Sequence, residues 1–60
     1  MKVGDLVRWN GKLHIVTKER THVYSLQEVN SDYPPSILDK AFVRIYAELG
    51  DLIIISKSFE

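Results

Sequence analysis

The chain has no cysteine, only three glycines, two prolines, one tryptophan and one methionine in 60 residues. Without cysteine, neither a disulfide framework nor a thiolate zinc site can supplement the core. Absence of cysteine also fits a reducing compartment. There is no excess of either charge, since eight basic residues balance eight acidic ones. There is no long apolar run either. The longest is Leu52-Ile53-Ile54-Ile55, far short of the roughly 20 residues that span a bilayer. Met1-Lys2-Val3-Gly4-Asp5 does not read as a signal peptide, because Asp5 and Arg8 interrupt any apolar region. The expectation is a cytoplasmic protein with no membrane contact. The glycines stand at 4, 11 and 50, so no clustered glycine loop is present to cradle a phosphate.

What is present is a β-type pattern. Hydrophobic residues make up 45% of the chain, ordinary for a globular protein. A chain of this length makes one domain, residues 1–60, near the lower limit for a self-supporting core. Two runs rich in β-branched and aromatic residues, 3–9 and 12–18, flank Asn10-Gly11, a strong hairpin signal. Residues 18–21 read as the next turn. Residues 22–29 then alternate as a half-buried strand, with Tyr24 and Leu26 on the core face. Asn30 to Pro35 is loop, because each proline fixes φ and removes a donor. Residues 51–56, Asp51-Leu52-Ile53-Ile54-Ile55-Ser56, form a last strand, buried on both faces or at an interface.

Residues 36–50 admit two readings. Ile37, Leu38, Ala41, Phe42, Ile45 and Leu49 fall at helical spacing, Ser36 and Asp39 form a weak capping box, and Gly50 suits a helix end. Yet Phe42-Val43-Arg44-Ile45-Tyr46 is dense enough in β-branched and aromatic residues to be a strand.

Val3-Gly4-Asp5-Leu6-Val7, the hairpin ending in Ile15-Val16, and the closing Tyr46, Glu48, Leu52 and Ile54-Ile55-Ser56 resemble the small SH3-like barrels. The resemblance is to KOW-type and short phage-encoded members, and it covers about half the chain, at its two ends. It implies an all-β, five-stranded SH3-like barrel, with a fourth strand over 41–46 and a short turn over 47–50. The alternative is a β-meander with one helix at about 36–49. A KOW element carries glycine just before the Ile-Val pair, whereas this chain carries His14. Polymerase or ribosome contacts are therefore not carried over. The biological setting implied is a phage-encoded accessory or host-interaction protein, acting in the host cytoplasm.

Several residues could carry chemistry. His14, His22 and Glu19 could meet across a hairpin as metal ligands, although two partly exposed sheet histidines are the simpler reading. Ser25 beside a histidine is the sole start of a catalytic arrangement, and no oxyanion-forming turn accompanies it. The expectation is no enzyme, no cofactor and no metal. The function expected is a small binding module for a protein partner, through the aromatic-tipped loop Tyr33, Pro34 and Pro35 and the alternating Arg44 and Tyr46. The alternative is a nucleic-acid-binding barrel using Arg8, Trp9, Lys12, Lys18, Arg20 and Tyr24, a basic first hairpin with interleaved aromatics. Residues 1–24 hold five cations against two anions, and residues 25–60 three against six. Ile53, Ile54 and Ile55 cannot all face inward in a strand, which points to a homo-oligomer through the terminal strand.

Overall fold

The computed structural model describes residues 1–57. Five antiparallel strands form one sheet, joined by a single short helix. In chain order these are β1 (Leu6–Trp9), β2 (Lys12–Glu19), β3 (Val23–Glu28), β4 (Ser36–Asp39), α1 (Lys40–Leu49) and β5 (Leu52–Ser56). The spatial order is β4-β3-β2-β1-β5. The last strand therefore returns beside the first.

The β1–β2 hairpin turns at Asn10 and Gly11, both left-handed at φ 55° and 77°. Two consecutive positive φ values match the right-handed twist of the flanking strands, which is why Asn-Gly is favoured there. The run at 3–9 is not all strand. Val3 and Gly4 form a turn, Gly4 adopts φ 95°, and β1 starts at Leu6. The buried Asp5 carboxylate accepts the Lys2 backbone N–H at 2.8 Å, and the Asp5 carbonyl accepts the Val16 N–H at 3.0 Å.

Strand geometry sends alternate side chains to opposite faces. On the inner face Val7 lies opposite Ile54 and His14, Val16 opposite Leu26, and Tyr24 opposite Leu38. These residues, with Leu52 and with Val43 from α1, supply the core: Val7, Val16, Tyr24, Leu26, Leu38, Val43 and Leu52. Tyr24 and Leu26 face the core as the alternation of 22–29 requires.

The assignment of a fourth strand to 41–46 is corrected. The fourth strand is Ser36–Asp39, and Lys40–Leu49 is helix. Local signals at both ends decide this. Asp39 is extended, at φ −63° and ψ 139°, and its carboxylate accepts the Ala41 N–H at 2.8 Å as an N-cap. At the other end Gly50 adopts φ 82°. Its N–H reaches the Ala47 carbonyl at 3.2 Å, and the Asp51 N–H reaches the Tyr46 carbonyl at 2.9 Å. This paired closure satisfies carbonyls that a helix end otherwise leaves free. The cap residue is Asp39 rather than Ser36, which instead pairs with Leu26 in the sheet. α1 thus follows one edge strand directly and leads into the other, covering the inner face between them.

Replacing Asp39 by Ala or Gly50 by Ala is expected to cost about 1 kcal/mol each. A Cβ at Gly50 meets nothing within 4 Å, so the second cost is purely conformational. Urea unfolding followed by far-ultraviolet circular dichroism checks both, and a strand over 41–46 would leave both midpoints unmoved.

Candidate interaction surfaces

β2 contains a bulge that determines one of the two candidate sites. Its pairing with β3 jumps from Val16–Leu26 to Lys18–Ser25, so Thr17 and Lys18 together oppose Ser25. An extra residue on one strand interrupts the alternation, and Thr17 and Lys18 both border a groove on the outer face. The groove encloses about 300 Å³ between the Thr17 and Ser25 hydroxyls, the Lys18 and Arg20 cations, and apolar walls from Val23, Pro35 and Ile37. The Thr17 hydroxyl lies 3.2 Å from Ser25 Oγ and 3.3 Å from the Ser25 carbonyl, which it bonds as donor.

Beyond the bulge Glu19 turns toward Lys40, whose Nζ lies 2.8 Å from Glu19 Oε2 and 5.0 Å from the centre of the Tyr24 ring. The hydrogen bond and charge of Lys40 hold the Glu19 carboxyl below its ordinary value, and the bond to Glu19 raises Lys40 above its own. Any stability from this pair is therefore present between the two titrations. It is lost in acid as Glu19 protonates and in alkali as Lys40 deprotonates. Both groups are solvated, so salt weakens the effect.

The second candidate site lies at the other end of β2, which is roughly 23 Å long at the usual rise per residue. There the tip of the β1–β2 hairpin meets the end of α1, with the Asn10 N–H bonded to the Asp51 carbonyl at 3.3 Å. Four aromatic rings form a row. The His14 and Trp9 centroids are 5.3 Å apart, those of Trp9 and Tyr46 6.2 Å, and those of Tyr46 and Phe42 6.3 Å. Trp9, Asn10, Tyr46 and Asp51 border a cleft of about 290 Å³. Beside it α1 exposes Phe42, Ile45 and Leu49 to 55%, 47% and 68%. Their spacing of three and four residues places them along one stripe of the helix.

These positions divide the residues singled out in the sequence. Trp9 and Tyr46, assigned to different readings, are brought together in the cleft. Lys18, Arg20 and Pro35, also from different readings, meet in the groove. Tyr33 at 70% exposure, Pro34 and Arg44 are exposed, and Gln27 Nε2 donates to the Tyr33 carbonyl at 2.9 Å. The six residues of the nucleic-acid reading do not form one surface. Tyr24 is buried in the core and Trp9 packs against it. Arg8 is paired between Leu13 and Ile53, away from the inner-face residues. Lys12 forms an ion pair with Glu28 at 3.8 Å.

His14 and His22 do not face each other. His14 is buried near the start of β2, with Nδ1–H donating to the Lys12 carbonyl at 2.9 Å, whereas His22 is exposed beyond its end. Among the described residues no three acidic, histidine or cysteine side chains are grouped to hold a metal. Ser25 belongs to the outer face and His14 to the inner, so those two cannot form a nucleophile–base pair. At the terminal strand Ile53, Ile54 and Ile55 are all partly exposed, and a register shift leaves Ile55 as an extra residue. A bulge of this kind at a sheet edge discourages pairing with another strand.

Sequence reasoning missed Asp51 and the stripe on α1. The stripe was legible as helical spacing at 42, 45 and 49, but the strand assignment dispersed it over both faces. No family model, curated protein or solved structure matches the chain. No helix among the described residues is long and apolar enough to cross a membrane.

The Glu19–Lys40 pair gives a direct expectation. The Glu19 carboxyl, followed by carbon-detected nuclear magnetic resonance, titrates below the ordinary glutamate value and returns to it in Lys40→Met.

Proposed function

We propose that this chain is a small non-enzymatic binding module that docks a protein partner through the outer face of α1. The observation that carries this reading is the stripe of Phe42, Ile45 and Leu49 on a ten-residue helix whose other side already fills the core. A helix apolar on both sides has more hydrophobic surface than one sheet can cover. Contiguous exposed apolar patches of this kind mark protein contacts in small proteins. Tyr46, on the same helix, borders the stripe through its stacking on Phe42, and Arg44 is exposed elsewhere on that helix. The resemblance to short phage-encoded SH3-like barrels supports a host-interaction or accessory setting in the cytoplasm.

The alternative, a single-stranded nucleic-acid binder, draws support from Lys18 and Arg20 in the groove. Base stacking needs exposed aromatic faces beside the cations, and Tyr24 is committed to the core. The protein reading is therefore preferred.

Display selection of random peptides against the wild-type chain tests it. Enriched peptides should lose at least about tenfold in affinity on Ile45→Glu, a change of roughly 1.4 kcal/mol or more. They should be little affected by Lys18→Glu. The same variants are then titrated with a thymidine oligonucleotide at low salt. Oligonucleotide binding that Lys18→Glu abolishes, with peptide enrichment indifferent to Ile45→Glu, would replace the protein reading by the nucleic-acid one. Because Ile45 is exposed, Ile45→Glu should leave the unfolding midpoint close to wild type.

A further inference from the structure

We propose that the cleft between Trp9, Asn10, Tyr46 and Asp51 is a recognition site for a cationic side chain, a guanidinium or ammonium group presented by the partner. Three independent features of the cleft favour positive charge. Two aromatic rings, Trp9 and Tyr46, stand 6.2 Å apart and tilted by 44°, and the faces of such rings attract cations electrostatically. Asp51 borders the same space, and its carboxylate forms no ion pair among the described residues. The cleft also lies at the end of α1, where aligned peptide dipoles leave partial negative charge. No basic side chain occupies the last turn of that helix to neutralise it.

The surroundings reinforce the assignment. The nearest strand lysine, Lys12, is engaged by Glu28 at 3.8 Å, and the cations Lys18 and Arg20 border the groove at the opposite end of β2. Backbone geometry holds the walls in place. The Asn10–Asp51 and Tyr46–Asp51 backbone bonds tie the hairpin tip to the helix end, and Phe42 stacks on Tyr46 at 26°. A volume of about 290 Å³ accommodates a guanidinium with part of its alkyl stem. A second copy of this chain is a poorer occupant than a basic segment, because at neutral net charge it brings as many carboxylates as cations.

This inference rests on the protein-binding reading for the identity of its ligand, but the cleft can be tested without any partner. The wild-type chain is titrated with N-ethylguanidinium chloride, its neutral analogue N-ethylurea, and sodium propionate at constant ionic strength. Shifts of the Trp9 indole N–H and of the backbone amides are followed by nuclear magnetic resonance. The expected result is a saturable shift of Trp9 and Asp51 by the guanidinium, with a midpoint in the millimolar range, and none by propionate. Asp51→Asn should weaken it at least fivefold while leaving the chain folded, as its amide spectrum will report. Tyr46→Leu should weaken it further. Equal response to N-ethylurea, an unchanged midpoint in Asp51→Asn, or shifts confined to other regions would each overturn the proposal. Peptides selected as above that still depend on Ile45 would then leave the binding module standing without a cation site.

Discussion

Alternation of side chains across a single antiparallel sheet is the constraint on which the remaining structure depends. One face of the sheet is covered by a ten-residue helix, and among the described residues no second helix or sheet covers the other. Every chemical juxtaposition follows from which face a residue occupies. Val7, Val16, Tyr24, Leu26 and Leu38 coincide on the inner face and make a core. Arg8, Leu13, Ile15 and Ile53 coincide on the outer face and remain accessible. Ser25 and His14 are separated by the thickness of the sheet.

The bulge at Thr17 is the one interruption of that rule in β2, and it has two consequences. It turns Lys18 outward beside Thr17, which creates a cationic groove with a hydroxyl floor. It also returns Glu19 to the side of Tyr24 and Lys40, where it ties the start of α1 to the end of β2. A strand without the extra residue would have given neither arrangement. The two charged regions are thereby kept at opposite ends of one strand, a cationic groove at one and an aromatic, acidic cleft at the other.

The contest between helix and strand at 40–49 was settled by backbone chemistry at the ends rather than by the residues between them. Phe42 to Tyr46 suit either state, since β-branched and aromatic side chains cost a helix only a few tenths of a kcal/mol each. Asp39 and Gly50, by contrast, suit the helix and not the strand. A carboxylate one residue before the helix and a glycine able to adopt positive φ after it satisfy groups that a strand would leave differently paired. Gly50 was legible as a helix end. Asp39 was obscured because Ser36, three residues earlier, offered a competing cap and was taken by the sheet.

The amino-acid sequence by itself determined the local elements whose signals are short-ranged. These are the Asn10-Gly11 turn, the alternating strand of Tyr24 and Leu26, the proline loop, and the closure at Gly50. Each depends on the φ preference or period of a few neighbouring residues, so nothing distant can change it. Only the tertiary structure decided which chemistry-bearing residues meet. Trp9 and Asp51 are 42 positions apart and meet because β5 pairs with β1. Lys18 and Pro35 meet because β4 pairs with β3 beside a bulge. Pairing between distant strands and the position of a single inserted residue are properties of the assembled sheet, and no local pattern encodes them.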